Sequence, residues 1–207
     1  MSKFLILTAA LAVAWGMTIG GEAMAKGDAE SRLEQATLGG GCFWCMEAIF
    51  EQLNGVEKVV SGFAGGNGHA SYKEVCTGRT GHAEVIQITF DPDVISYRQI
   101  LGVFFSSHDP TTLNRQGADV GTQYRSVIFC HDEDQQRIAR EAIAKLEQDK
   151  VWSKPVVTRV QPLQGFFRAE DHHQDYYRRN RTQGYCQAVI NPKLAKFRRE
   201  FAGMLKQ

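Results

Sequence analysis

The sequence predicts an α+β fold, a two-layer α/β sandwich on a split βαβ, ferredoxin-like core, and three observations lead there. Strand-like and helix-like segments alternate from residue 37 to residue 204. A strand with alternating polarity, Ala-Glu-Val-Ile-Gln-Ile-Thr-Phe at 83–90, stands in the middle of the order and stops at Asp91-Pro92. No internal repeat or low-complexity segment divides the chain, so a single core is expected.

The elements follow in order. Thr37-Leu38-Gly39 reads as a strand end that runs into a glycine turn. Apolar residues at 43, 46, 49, 50 and 53 predict a helix over 42–53, stopped by Asn54-Gly55. Residues 56–64 read as a strand and 65–68 as a glycine-rich loop. After the central strand come a helix over 95–106 and a loop over 109–121. A strand over 125–130 leads to a helix over 132–149 whose first turn is acidic, as the helix dipole favours. A strand over 156–160 and short helices over 169–178 and 192–204 complete the chain.

The first 25 residues should not enter this fold. Lys3 precedes an uncharged, mostly apolar stretch at 4–19, and Ala23-Met24-Ala25 has the small-x-small pattern of a signal-peptidase site. The alternative, a retained anchor, needs about 20 helical residues to span a bilayer. The expectation is a signal peptide over 1–25 cleaved near Ala25, an exported, periplasmic or secreted protein, a polar segment over 26–35 and one domain over 36–207. No stable membrane insertion after cleavage is expected.

With 24 basic against 23 acidic residues, no global field draws the chain to nucleic acid or to a membrane. The cations around 178–181 and 193–199 read as a solvated helix face. Five cysteines, Cys42, Cys45, Cys76, Cys130 and Cys186, are too few for a disulfide scaffold and odd in number. Either redox chemistry or a buried thiol is implied.

Cys42 follows three glycines at the predicted first turn of a helix. Unpaired amides and the positive end of the dipole stabilise a thiolate there, so a depressed thiol pKa is expected. A buried structural cysteine is the plainer alternative. Phe43 and Trp44 read as core on their own, or as walls of an apolar pocket beside a reactive sulfur. Cys42 and Cys45 form a Cys-x-x-Cys pair, compatible with a dithiol or half a zinc site; Met46 excludes haem attachment.

Five ordered segments resemble one family, the type A peptide methionine sulfoxide reductases. They are Gly40-Gly41-Cys42-Phe43-Trp44, the run at 78–85, the run at 117–126, Ala169-Glu170-Asp171-His172-His173-Gln174, and Gly184-Tyr185-Cys186. The resemblance covers about 37–201 and implies reduction of the S epimer of free or protein-bound methionine sulfoxide. By it, Cys42 is the nucleophile, Glu84 the proton donor and Cys186 the resolving thiol. Tyr72 and Tyr124 would hydrogen-bond the sulfoxide oxygen, Phe43 and Trp44 would hold the S-methyl group, and Asp119 would order the loop carrying Tyr124. The chemistry is consistent with those roles, because a sulfoxide oxygen leaves only when protonated.

Cys45 stands where the family commonly has glycine and is the alternative resolver. Cys76 and Cys130 read as structural. The resemblance also implies a monomer without cofactor or metal, recycled by thioredoxin or a thioredoxin-like reductant. His172 stands where tyrosine is frequent. Because neighbouring helical residues point apart, His172 and His173 are not expected to share a metal ion. Two other readings compete: a thioredoxin-like dithiol oxidoreductase on Cys42 and Cys45, and a non-enzymatic metal-binding module.

Overall fold

The computed structural model describes residues 33–69 and 71–207. The expected signal peptide and its cleavage site lie outside the described residues. The described residues form eight strands and six α-helices joined by turns and loops: β1 Glu34–Gly40, α1 Phe43–Phe50, β2 Val56–Ala64, α2 Tyr72–Val75, β3 Ala83–Phe90, α3 Tyr97–Ser107, β4 Arg115–Gln116, β5 Asp119–Val120, β6 Ser126–Cys130, α4 Glu133–Gln148, β7 Arg159–Pro162, β8 Phe166–Arg168, α5 Tyr176–Arg179 and α6 Asn191–Glu200.

Six strands form one sheet in the order β7-β6-β1-β3-β2-β8. Its four central strands, β6-β1-β3-β2, are all antiparallel to their neighbours. With α1 between β1 and β2 and α3 between β3 and β6, this is the split βαβ arrangement. β7 extends it in parallel beside β6, and β8 closes the other edge against β2. Side-chain alternation sorts β3 between the two faces. Ile86, Ile88 and Phe90 face the helices, packing in one core with Met46, Ile49 and Phe50 of α1 and Ile100, Leu101 and Phe104 of α3. Ala83 and Val85 face the other way, toward Val127, Phe129 and Phe166. Each large apolar side chain sequestered like this contributes roughly 1.5–3 kcal/mol.

Local sequence explains the element ends. Ser96 and Gln99 form a reciprocal capping box that starts α3 two residues later than the periodicity suggests. Asp132 caps α4 by accepting from the Gln135 amide at 2.7 Å. Four expectations need correction. The helix over 169–178 is replaced by a 3-10 turn at Asp171–His173 and the short α5, because Asp175 takes a left-handed conformation (φ 52°). The strand over 156–160 is displaced to β7, since the Val157 amide bonds to the Pro110 carbonyl at 2.8 Å rather than to the sheet. The helix over 192–204 ends at Glu200 and continues as a 3-10 turn, Ala202–Met204. β1 begins at Glu34, inside the stretch read as a polar approach. The short α2, opened by a Ser71–Glu74 capping box, and the β4–β5 hairpin within the 109–121 loop carry too little periodicity to be read in advance.

No helix among the described residues is long and apolar enough to cross a membrane.

Candidate active site

The site begins where β1 stops. Gly41 holds a positive φ of 99°, which turns the chain from the sheet into α1. A Cβ there would lie 2.7 Å from Cγ of Gln116, so the turn requires glycine for space as well as for conformation. Gln116 is fixed by the backbone of Asp109: its Oε1 accepts from the Asp109 amide at 3.0 Å and its Nε2 donates to the Asp109 carbonyl at 2.6 Å. The 109–121 loop is thereby clasped over the glycine turn.

Cys42 is the N-cap residue of α1, and its thiol makes no capping bond. Cys45 sits at the third helical position, its amide 3.1 Å from the Cys42 carbonyl. An N-cap side chain and one three residues on are natural neighbours, as in a capping box. The two buried thiols interact directly and shift each other's ionisation in opposite directions. The hydrogen bond from Cys42 lowers Cys45 to about 7, with Lys193 and Tyr185 assisting. Burial, Cys45 and Glu84 push Cys42 well above the usual thiol range. This corrects the expectation of a depressed Cys42 thiol: the pair ionises as a unit, giving up its first proton readily and its second with difficulty.

Glu84 is on β3, and its position in the alternation is Glu84-Ile86-Ile88-Phe90, all facing the helices. A carboxyl on the core face needs a partner, and it has one: Oε2 accepts from the Phe43 amide at 3.1 Å. The bond fixes the acid against the residue that follows Cys42. Burial raises its pKa to about 8, against the pull of the Phe43 amide, with Asp119 and Cys45 adding to the rise. Glu84 is therefore a neutral acid at neutral pH. Its charge, when present, is felt by Cys42, Tyr72 and Tyr124, so these four groups lie near one another at the start of α1. Burial pushes both phenols far up, and they remain donors at any working pH.

Aromatic rings line this region. Phe43 is wholly buried, 6.1 Å from Tyr72 and 5.8 Å from Phe63 between ring centres. Trp44 is half-buried and lies flat on Tyr176, 3.6 Å between centroids at 7°. His173 packs against Trp44 at 5.6 Å and Tyr72 at 4.2 Å. Tyr185 stands edge-on to Trp44 at 5.8 Å and reaches the Cys45 sulfur at 3.8 Å. Its hydroxyl donates to Asp119 Oδ2 at 2.9 Å.

A family profile described as peptide methionine sulfoxide reductase matches residues 34–205. The chain belongs to the peptide methionine sulfoxide reductase family. Its relatives include peptide methionine sulfoxide reductases from Polynucleobacter asymbioticus, 54% identical over 84% of this chain and 92% of that protein, and from Chromobacterium violaceum, 55% identical over 84% of this chain and 99% of that protein. Among solved structures, reduced Mxr1 from Saccharomyces cerevisiae superposes with a TM-score of 0.69 at 33% identity, covering 75% of this chain and 90% of that one. Methionine sulfoxide reductase A of Corynebacterium diphtheriae gives 0.66 at 34% identity, covering 72% and 76%.

Within this family member the structure gathers Cys42, Cys45, Glu84, Phe43, Trp44, Tyr72 and Tyr124 around the start of α1. Cys186 is fully buried at the start of a π-helical turn, Cys186–Ile190, close enough for Cys45 to raise its pKa. Asp119 lies in the β4–β5 hairpin just before the turn carrying Tyr124, and its carboxylate accepts from the Tyr185 hydroxyl at 2.9 Å. Cys130 is buried, as a structural role requires, but Cys76 is exposed at the end of α2. Sequence reasoning gave no role in the site to Tyr176, Tyr185, His173 or Gln116. Tyr185 and His173 had a signal, their places in the Gly184-Tyr185-Cys186 and 169–174 segments. Among the described residues no cluster of His, Cys, Asp and Glu could hold a metal ion; the His173 ring lies among Phe43, Trp44 and Tyr72, and the exposed His172 packs on His173.

Proposed function

We propose that the chain reduces the S epimer of methionine sulfoxide, free or within proteins, by thiol chemistry at Cys42. The observation that carries the reading is the Phe43 amide bond that places a buried, protonated Glu84 beside the nucleophile. A dithiol exchanger needs no such acid, whereas a sulfoxide does, because its oxygen departs poorly without a proton.

The thiolate of the Cys42–Cys45 pair attacks the sulfoxide sulfur from Cys42. Glu84 delivers its proton to the sulfoxide oxygen, which Tyr72 and Tyr124 orient by hydrogen bonds. Attack forms a bond between the Cys42 sulfur and the methionine sulfur. The protonated oxygen then passes to Cys42 as the sulfur–oxygen and sulfur–sulfur bonds to methionine break. Methionine leaves with its sulfur reduced by two electrons, and Cys42 keeps the oxygen as a sulfenic acid. A second thiol then attacks the Cys42 sulfur, forming a disulfide and releasing water. We assign that step to Cys186, with Cys45 the alternative. The half-exposed face of Trp44 receives the methyl group, backed by the buried Phe43.

The disulfide is returned to thiols by a thioredoxin or thioredoxin-like protein in this reading; yeast Mxr1 has been solved in complex with Trx2, which supports it. The reading includes a monomer, exported after cleavage near Ala25, and the N-terminal sequence of the mature protein tests that directly. The function is tested with separated S and R sulfoxide epimers on the wild type and Cys42→Ser. Reduction of S alone, abolished in the variant, is expected; activity retained in Cys42→Ser refutes the assignment.

A further inference from the structure

Glu47 is a buried carboxyl that the reaction above does not use. It lies on α1 and is 2% exposed. Burial raises its pKa to about 7, opposed by bonds from the Asp175 and Tyr176 amides and reinforced by Glu51. Such a group is costly to bury unless it satisfies something in return.

What it satisfies is the start of α5. Tyr176 is the first residue of α5, so its amide has no acceptor within its own helix, and the left-handed cap residue Asp175 adds no side-chain capping bond there. Glu47 Oε2 accepts from that amide at 3.3 Å. The residue before, Gln174, is bound to Ser61 of β2 in both directions, at 3.0 and 2.9 Å, and to the Ala169 carbonyl at 2.9 Å. Residues 174–176 are thus fastened to the sheet by Gln174 and to the nucleophile's own helix by Glu47. From this anchored backbone the Tyr176 ring lies on Trp44. Among the described residues the buried Trp44 indole nitrogen finds no hydrogen-bond partner, and stacking on Tyr176 sets the indole plane.

We infer that Glu47 is a positioning residue for the sulfoxide pocket, tying the Tyr176 amide so that the Tyr176 ring holds Trp44 in place against the substrate's methyl group. It acts through Tyr176 and touches no reacting atom. The inference rests on the sulfoxide reductase reading above.

The test measures kcat and KM for methionine sulfoxide, with dithiothreitol as reductant, in Glu47→Ala, Glu47→Gln, Tyr176→Ala and the Glu47→Ala/Tyr176→Ala double variant. Loss of the Glu47 acceptor from the Asp175 and Tyr176 amides should raise KM about tenfold in Glu47→Ala with a much smaller change in kcat. Glu47→Gln, which keeps an acceptor oxygen, should restore KM to within about twofold. The double variant should be no worse than Tyr176→Ala, because both act on one stack.

An unchanged KM in Glu47→Ala, no rescue by Gln, or additive effects would each overturn the inference. If Glu47→Ala does not fold, Glu47→Met, similar in volume and without an acceptor, takes its place. Failure of both to fold would make Glu47 a folding residue and overturn its positioning role. A wild type that reduces no sulfoxide would reject the functional reading instead, which separates the two failures.

Discussion

Replacing Glu84 by Gln removes a proton donor while keeping the geometry, because the amide oxygen of Gln can still accept from the Phe43 amide. The structure sets the size of the effect. With its pKa raised from 4.5 to about 8, Glu84 is about 0.9 protonated at pH 7. An ordinary carboxyl at 4.5 would be about 0.003 protonated, so burial multiplies the acid form by about 300. General acids typically contribute about 10²–10⁴ in rate, and Glu84→Gln should therefore slow sulfoxide reduction by about 100-fold or more. The assay is a single turnover with enzyme in excess and no reductant, following methionine formed between about pH 6 and 10. The wild type should rise through about 7 as the thiol pair ionises and fall above about 8 as Glu84 loses its proton. The variant should lack the alkaline fall. A variant rate within about threefold of the wild type, with the same fall, would remove Glu84 from the acid role.

Three other predictions test separate parts of the account. Cys186→Ser should complete one turnover yet fail to recycle with thioredoxin; steady turnover at the wild-type rate would transfer resolution to Cys45. Gly41→Ala should lose about 2 kcal/mol or more in urea denaturation, since alanine must take a φ of 99° with Gln116 in the way, and a smaller loss would show that the clasp yields. Stability should also carry the sign of the buried acid. Glu84 holds a proton in the folded state that the unfolded chain releases, so its contribution is full below about 4.5 and is lost as pH rises toward about 8. The wild-type urea midpoint should fall from pH 5 to pH 8 relative to that of Glu84→Gln, and a parallel pair of profiles would contradict the raised pKa.

The split βαβ core was legible because its signals are periodic. The 83–90 strand alternates cleanly, and the helices at 42–53, 95–106 and 132–149 each repeat their apolar positions over two or more turns. The same alternation holds a clue to Glu84, which occupies a core-facing place in the series that continues with Ile86, Ile88 and Phe90. What the sequence concealed depends on contacts between distant segments. Asp175 leaves the helical region next to Gln174, which is bound to Ser61 more than 100 residues away. Likewise Asp119 meets Tyr185 across 66 residues, and no local pattern announces that pair. The thiol electrostatics were misjudged for a related reason. A helix start lowers a lone thiol, but Cys42 interacts with Cys45 and is buried beside a carboxyl.

Oxygen transfer to Cys42 is the central claim, and the mass of that residue after one turnover tests it most directly. In the Cys45→Ser/Cys186→Ser variant, neither candidate resolving thiol remains. One equivalent of methionine should appear with Cys42 heavier by one oxygen, as a sulfenic acid that a dimedone probe captures. Methionine formed while Cys42 stays unmodified, or oxygen found on Cys76 or Cys130 instead, would contradict the account.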